Sequence, residues 1–523
     1  MSVADKTPYY ITTAISYVNG APHLGHAYEA IATDVMARFK RLDGYDVRFL
    51  TGTDEHGQKV EQFAGAAGKE PEAFCDEIAG LFRAMTGYLG ISNDDFIRTT
   101  EARHVTSSQA IWQKLEAAGD IYLGKYAGWY SVRDEAFFGE DELAKANGGD
   151  GESKLLAPSG APVEWVEEPT YFFRLSAYAD KLLAHYAANP DFILPHYRRN
   201  EVENFIRQGL LDLSISRTTF NWGIPVPGDP DHIMYVWLDA LTNYITGVGY
   251  PDEDCEAFRT YWPADLHVIG KDILRFHTIY WPAFLMSAGL PLPKRVFAHG
   301  FLNVEGQKMS KSLGNVLSPE AVVEEFGLDQ LRYYLLREVP FGNDGSISRE
   351  SLIRRSNSDL ANDFGNLGQR ILSMIAKNCD GRVPAPGAFS EADRGLLDQA
   401  AGLLDRLRAH YEVQAFHKAL EATWEVVGAA NRYVDEQAPW TLKKTDPERM
   451  ATVLYVGAEV VRHLAILSQP VMPGAMARLL DQLGVAETAR DTAALATPLA
   501  PETALPKPEG VFPRFVEEEQ EAS

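Results

Sequence analysis

The chain has 523 residues, 46% of them hydrophobic, which is enough for large buried cores and, on length, about three domains. Its formal net charge of −24 argues against a broadly basic nucleic-acid binder, because phosphate contacts are driven by Lys and Arg; any RNA site has to be a local basic face on an acidic body. Cys75, Cys255 and Cys379 lie far apart and are odd in number, which argues against both a disulfide framework and a Cys-based zinc site. No apolar run approaches the length of a membrane span, and Met1–Thr7 lacks a signal pattern, so no membrane and a cytoplasmic location are expected.

In chain order, Tyr9–Ile15 is rich in aromatic and β-branched residues and predicts a short buried strand, closed by Asn19-Gly20 and Pro22. Ile31, Val35, Phe39 and Leu42 then recur at helical spacing, so a helix should begin near Gly25 with His23 and His26 at its start. A helix N-terminus offers unpaired N–H groups and partial positive charge, and imidazole donors there can meet phosphate; read by themselves, two His at this spacing are structural or metal-binding as often as not. Val47–Gly52 predicts a second strand with Thr53-Asp54-Glu55-His56-Gly57 at its carboxyl end. There Asp54 either faces a ligand, as groups at strand ends of parallel sheets do, or caps the next helix.

Residues 117–232 interrupt the α/β alternation with short strands at Trp129–Val132 and Pro169–Phe173 and a loop at Asn147–Glu152, the pattern of an inserted domain. The sheet is expected to resume with a strand at Met234–Leu238, then another at Leu266–Gly270, after which Ile273 and His277 stand one helical turn apart. Gly306–Asn315 packs Lys308, Lys311, Ser310 and Ser312 between glycines, a composition suited to closing over polyphosphate, although a solvated basic loop has the same look. Beyond it the pattern is helical. Arg332, Arg337, Arg349, Arg354 and Arg355 form a local basic cluster that either tracks an RNA stem or is a solvated face. Leu360, Phe364, Leu367, Ile371 and Ile375 make one apolar stripe, leaving Asn362, Asn366 and Arg370 opposite. Two more apolar stripes, Phe416 to Val427 and Val453 to Leu464, complete a bundle, and a Pro- and Glu-rich tail from about Pro501 is expected to be extended and solvated.

Tyr17–His26, with Ala21-Pro22-His23-Leu24-Gly25-His26 inside it, Tyr235–Ala240, and Lys308-Met309-Ser310-Lys311-Ser312 together resemble the HIGH and KMSKS signatures and context of methionyl-tRNA synthetases of class I, over nearly the whole chain. The resemblance implies an α/β Rossmann-type nucleotide-binding domain, residues 1–116 and 233–318, split by a connective insertion at 117–232. A stem-contact region at 319–350, an all-α anticodon-binding bundle at 351–500 and an acidic tail at 501–523 would follow. It implies a two-step ligase in which L-methionine and ATP with Mg²⁺ give methionyl-adenylate, and methionine tRNA, initiator and elongator alike, then takes the methionyl group. By the same resemblance His23, His26, Lys308 and Lys311 are catalytic, and Gly25, Glu29, Gly270, Lys271, Asp272, Met309, Ser310 and Ser312 join them around ATP, with Asp272 at the ribose.

Methionine would be held by Ala14, Ile15, Tyr17, Asp54 (at the ammonium group), Trp237, Ala240, Leu241, Tyr244, Ile273 and His277; Leu241 stands where some relatives have Pro. An aromatic, adaptable pocket suits an unbranched thioether. Asn362, Asn366, Arg370, Pro439 and Trp440 would read the anticodon, with Trp440, otherwise a candidate core residue, as the stacking platform. Relatives often carry a zinc knuckle in the insertion, but Ser131 and Asp134 stand where a Cys pair would be, so no zinc is expected. No appended dimerising module follows the bundle, so a monomer is expected. The competing functions are another class I synthetase for an aliphatic amino acid and a tRNA-independent adenylate-forming ligase.

Overall fold

The aromatic and β-branched N-terminal run forms the strand Pro8–Thr13, with Tyr10 and Ile11 fully buried. The computed structural model describes residues 6–134, 136–147, 153–304, 307–308 and 318–516, and the chain divides into two units. One contains residues 8–22 and 48–298. Its centre is a seven-stranded sheet in the order Ile193–Leu194, Val296–His299, Leu266–Gly270, Pro8–Thr13 and Asp46–Asp54, on which Ser16–Tyr17 and Asp95–Arg98 both pair. Pro8–Thr13 runs parallel to Leu266–Gly270 with Ile11 opposite Leu266, and Asp46–Asp54 runs parallel to Ser16–Tyr17 with Asp54 opposite Tyr17. Carboxyl ends of neighbouring strands therefore gather at one edge, where α/β sheets bind ligands.

The insertion builds on a long antiparallel pair, Ile121–Ser131 with Glu164–Phe173, longer than the two short strands expected. Ser131 Oγ donates to Asp134 Oδ2 at 2.8 Å, and among the described residues no group of His, Cys, Asp and Glu is placed to hold a metal ion. The loop residues 148–152 lie outside the described residues.

One expected strand is a helix. Met234 ends the strand Asp229–Met234, which belongs to a separate three-stranded antiparallel sheet, and Val236–Leu241 is helical. A short apolar run bounded by turns has no period that separates a buried strand from a buried helix, and here the helix prevails.

The other unit contains residues 1–7, 23–47 and 299–523. The first helix, Leu24–Leu42, belongs to it and packs against Leu328–Glu338. Arg332 is fully buried between them: it donates to Asp34 Oδ2 at 2.6 Å and to the carbonyls of Val471 and Pro470, each at 2.9 Å. It is thus a core residue, not part of a basic surface. Arg337 meets Glu421, Arg349 meets Glu325, and Arg354 and Arg355 meet Glu338, so the rest of the expected basic cluster is also matched by carboxylates.

The apolar stripe Leu360, Phe364, Leu367, Ile371 and Ile375 is buried, carried by a π-helical stretch, Ser356–Gly365, that runs into the helix Asn366–Asn378. Phe416–Gln437 and Pro447–Ser468 complete the bundle; the latter is long and apolar enough to cross a membrane, but almost all of it is buried among its neighbours. The segment 501–516 is docked, contrary to expectation. Glu502 N donates to the Val383 carbonyl at 2.8 Å, Arg478 reaches the Val511 carbonyl at 3.0 Å, and Asn357 exchanges hydrogen bonds with the backbone of Phe515. Val511, Phe512 and Phe515 give this Pro-rich strap apolar footholds that its composition obscured. The acidic end, 517–523, lies outside the described residues.

Candidate active site

At the start of the first helix His23 is the N-cap in an extended conformation, and its Nδ1 accepts the Gly25 N–H at 3.0 Å. His26 Nδ1 in turn accepts the His23 N–H at 3.1 Å, and the two rings stack at 3.9 Å. This is a capping box built from imidazoles. With both Nδ1 atoms accepting, each neutral ring carries its proton on Nε2, as a donor directed away from the helix. Next along, Glu29 Oε2 lies 2.9 Å from Nε2 of His299, against which Tyr28 packs edge-on and Phe341 stacks. The backbone of Lys308 pairs with Asn303. Its side chain, and Met309, Ser310, Lys311 and Ser312, lie outside the described residues.

In the sheet unit, Ala14, Ile15, Tyr17, Trp237, Ile273 and Phe276 are partly buried and pack on one core with Leu241 and Tyr244. Trp237 and Phe276 stack nearly parallel at 3.7 Å. His277, one turn from Ile273 as its spacing predicts, donates Nδ1–H to the Ile273 carbonyl at 2.9 Å; its Nε2 therefore accepts from the Tyr244 hydroxyl at 2.6 Å. Burial pushes His277 down to about 4, the carbonyl bond opposing, and so holds it neutral at pH 7. Tyr244 also stacks on the buried His267 at 4.0 Å. The result is an aromatic wall in which Tyr244 and His277 are hydrogen-bonded to each other. Ala240 and Asp54 are buried, and the next helix is capped by Gly57, which removes the capping role from Asp54. Gly270 ends its strand buried and Asp272 just beyond it is exposed.

Phe276 escaped the sequence analysis, and so did a buried cluster behind this wall. Asp239, fully buried on the Trp237 helix, takes His56 Nδ1 on one carboxylate oxygen and His104 Nε2 on the other, both at 2.7 Å. Burial would raise Asp239, but the two imidazoles outweigh it and hold the carboxyl at about 2. The one signal in the sequence was an acid embedded in the apolar run Tyr235–Leu241.

The family described as "tRNA synthetases class I (M)" matches residues 9–372, and "Anticodon binding domain of methionyl tRNA ligase" matches 383–523. The chain belongs to the class I methionyl-tRNA synthetases. It is 61% identical to the methionine–tRNA ligase of Mycobacterium bovis, over 97% of this chain and 98% of that one. With the enzyme of Brucella suis it shares 61% identity over 99% of each chain. A solved Mycobacterium tuberculosis methionyl-tRNA synthetase in complex with methionyl-adenylate superposes with a TM-score of 0.95 at 60% identity, over 97% of this chain and 100% of that one.

For a methionyl-tRNA synthetase the helical bundle is the RNA-reading part. There Asn362 and Asn366 are exposed opposite the apolar stripe, and Trp440 is 48% exposed, one residue into the helix Pro439–Thr445 with Pro439 buried behind it. The Arg370 guanidinium lies 5.5 Å from the Trp440 ring and pairs with Asp435. These four side chains therefore line the exterior of one unit, and Trp440 is not core. The docked strap adds Arg514, which donates to Asn362 and which sequence reasoning had left in a solvated tail.

Proposed function

We propose that this chain charges methionine tRNA: L-methionine and ATP give methionyl-adenylate and pyrophosphate, and the terminal ribose of the tRNA then takes the methionyl group. The observation that carries this is the full-length likeness to a solved relative holding methionyl-adenylate, on a chain that packs partly buried aromatic residues in the same unit as the buried carboxylate Asp54. The same likeness removes the branched-aliphatic and tRNA-independent alternatives.

The amino acid's carboxylate is already ionised at pH 7 and needs no general base, so catalysis comes from alignment and from charge stabilisation at the α-phosphate. His23 and His26 donate Nε2–H to phosphate oxygens, the orientation their capping bonds impose. Gly25 offers the close approach of helix backbone, while Glu29, Gly270, Lys271 and Asp272 surround the nucleoside. ATP enters as its Mg²⁺ complex, and Lys308 and Lys311 hold its β and γ phosphates with Met309, Ser310 and Ser312 of the same loop. Asp54 binds the ammonium group. Ala14, Ile15, Tyr17, Trp237, Ala240, Leu241, Tyr244, Ile273 and His277 receive the side chain, whose thioether needs no strong hydrogen bond. Asn362, Asn366, Arg370, Pro439 and Trp440 read the anticodon. The insertion is residues 117–232, and the bundle begins near 351.

ATP–pyrophosphate exchange across a panel of amino acids tests the activity: methionine should be activated, and norleucine rejected poorly, since such a pocket discriminates a methylene-sized change by only about 1–3 kcal/mol. Exchange driven by valine or isoleucine in preference to methionine would refute it.

A further inference from the structure

The cluster His56–Asp239–His104 is used by none of the steps above, yet two of its three members come from segments that carry the proposed methionine residues, and the third holds the carboxylate that joins them. His56 stands two residues beyond Asp54, Asp239 lies between Trp237 and Ala240, and His104 belongs to the helix Ala102–Ala117. A buried carboxylate with two imidazoles is a poor device for stability alone, since packed apolar residues of the same volume serve as well or better. What it supplies is geometry. Each Asp239 oxygen accepts one ring nitrogen at 2.7 Å, so the carboxylate cannot turn and neither ring can slide. His104 is itself fixed by Ser108 Oγ at 3.2 Å from Nε2 and Thr246 Oγ1 at 3.3 Å from Nδ1. His56 is closed in by the edge of Trp222, whose indole N–H donates to the Glu55 carbonyl at 2.6 Å and whose carbonyl accepts Gly57 N–H at 3.1 Å. On the opposite side of the same segment Glu55 is gripped by Arg98 through both carboxylate oxygens, at 2.7 and 2.9 Å. Residues 54–57 are thus clamped from two sides, and the Asp239 side is the one that ties them to the pocket helix.

We propose that His56, Asp239 and His104 are positioning residues for methionine: they set the span between the carboxylate that takes the ammonium group and the wall formed by Trp237 and Ala240. This rests on the assignment of Asp54 and Trp237 to methionine. A ligand anchored at both ends is sensitive to that span, whereas ATP, bound elsewhere, is not, so the cluster acts on methionine affinity before it acts on turnover.

Exchange kinetics on the full chain provide the test. His56→Leu, which removes the donor, should raise the KM for methionine about tenfold or more with the KM for ATP within about twofold, the size expected for losing a hydrogen bond to a charged group. His56→Asn puts an amide N–H where Nδ1 stood and should restore most of the affinity, while His56→Gln, with its donor one bond too far, should not. At position 104 the order reverses, because there Nε2 is the bonded atom: His104→Gln rescues and His104→Asn does not. Should the Leu variant fail to fold, the Asn and Gln pairs still decide. The proposal is overturned by equal methionine KM values for Asn and Gln at each position, or by methionine and ATP constants rising together. Asp54→Asn and Trp237→Ala are measured in parallel. If these leave the methionine KM unchanged, the pocket assignment fails; if they raise it while the cluster variants do not, only the positioning role fails.

Discussion

The proposed amino-acid pocket and the proposed RNA-reading face would solve recognition in opposite ways. Around the pocket several polar atoms are committed internally: His277 to Ile273 and Tyr244, and Asp239 to two histidines, while aromatic rings stack on one another. A small thioether has few handles, so selectivity has to reside in a shape that is finished before the ligand arrives. On the bundle, the candidate readers Asn366 and Trp440 stand exposed, and Arg370 beside Trp440 is held by the surface carboxylate of Asp435. A chain of net charge −24 therefore need not present a broad basic surface to nucleic acid. Most arginines of this unit brace the fold, as Arg332, Arg449 and Arg462 do with Asp34, Asp393 and Glu459. On the proposed assignment, base reading would fall mainly to uncharged and aromatic groups.

The sharpest way to break this contrast is Arg332→Met. If Arg332 were an RNA contact it would cost charging and leave stability alone; as a buried brace its loss should cost about 3–5 kcal/mol of stability, read from denaturant unfolding, with much recovered in the double variant carrying Asp34→Leu. Next, Asp54→Asn should weaken methionine by about 2–5 kcal/mol in exchange assays with ATP affinity preserved, as removal of a buried charge partner does. Trp440→Ala should lower kcat/KM for tRNA by an amount equivalent to about 1–3 kcal/mol, a single stacking loss, while amino-acid activation measured without RNA keeps its rate.

The smallest effect expected is a pH slope. His277 and His267 both have ring pKa values lowered by burial, so between pH 6.5 and about 4 the unfolded chain binds protons that the native pocket refuses. Stability of the sheet unit should accordingly be full above pH 6.5 and decline as pH falls through that window. His277→Gln should flatten the decline in pH-dependent thermal melts.

Much of this was legible in the chain. The strand at Pro8–Thr13, the first helix and the stripe from Leu360 to Ile375 followed from period and composition, because each buries one face of a regular element. The pairing of motifs pointed to the family, which no single residue type would have marked. What stayed hidden depends on contacts distant in sequence. Val236–Leu241 reads as strand or helix until its neighbours are known. Arg332 is indistinguishable from a surface arginine until Asp34, 298 residues away, is seen beside it. His104 gave no sign at all, since its partner Asp239 lies 135 residues downstream. The strap looked solvated because its few aromatics are diluted by Pro and Glu.

The imidazole capping box ties His23 and His26 to the first turn of their helix. Because backbone N–H groups hold both Nδ1 atoms, neither ring is free to follow a substrate that shifts, and on the proposed assignment the reacting phosphate would have to come to them. An adenylate mimic with its linker shortened, or with a methylene where they expect an oxygen, meets a fixed stencil with no means of adjusting, and should lose that contact outright.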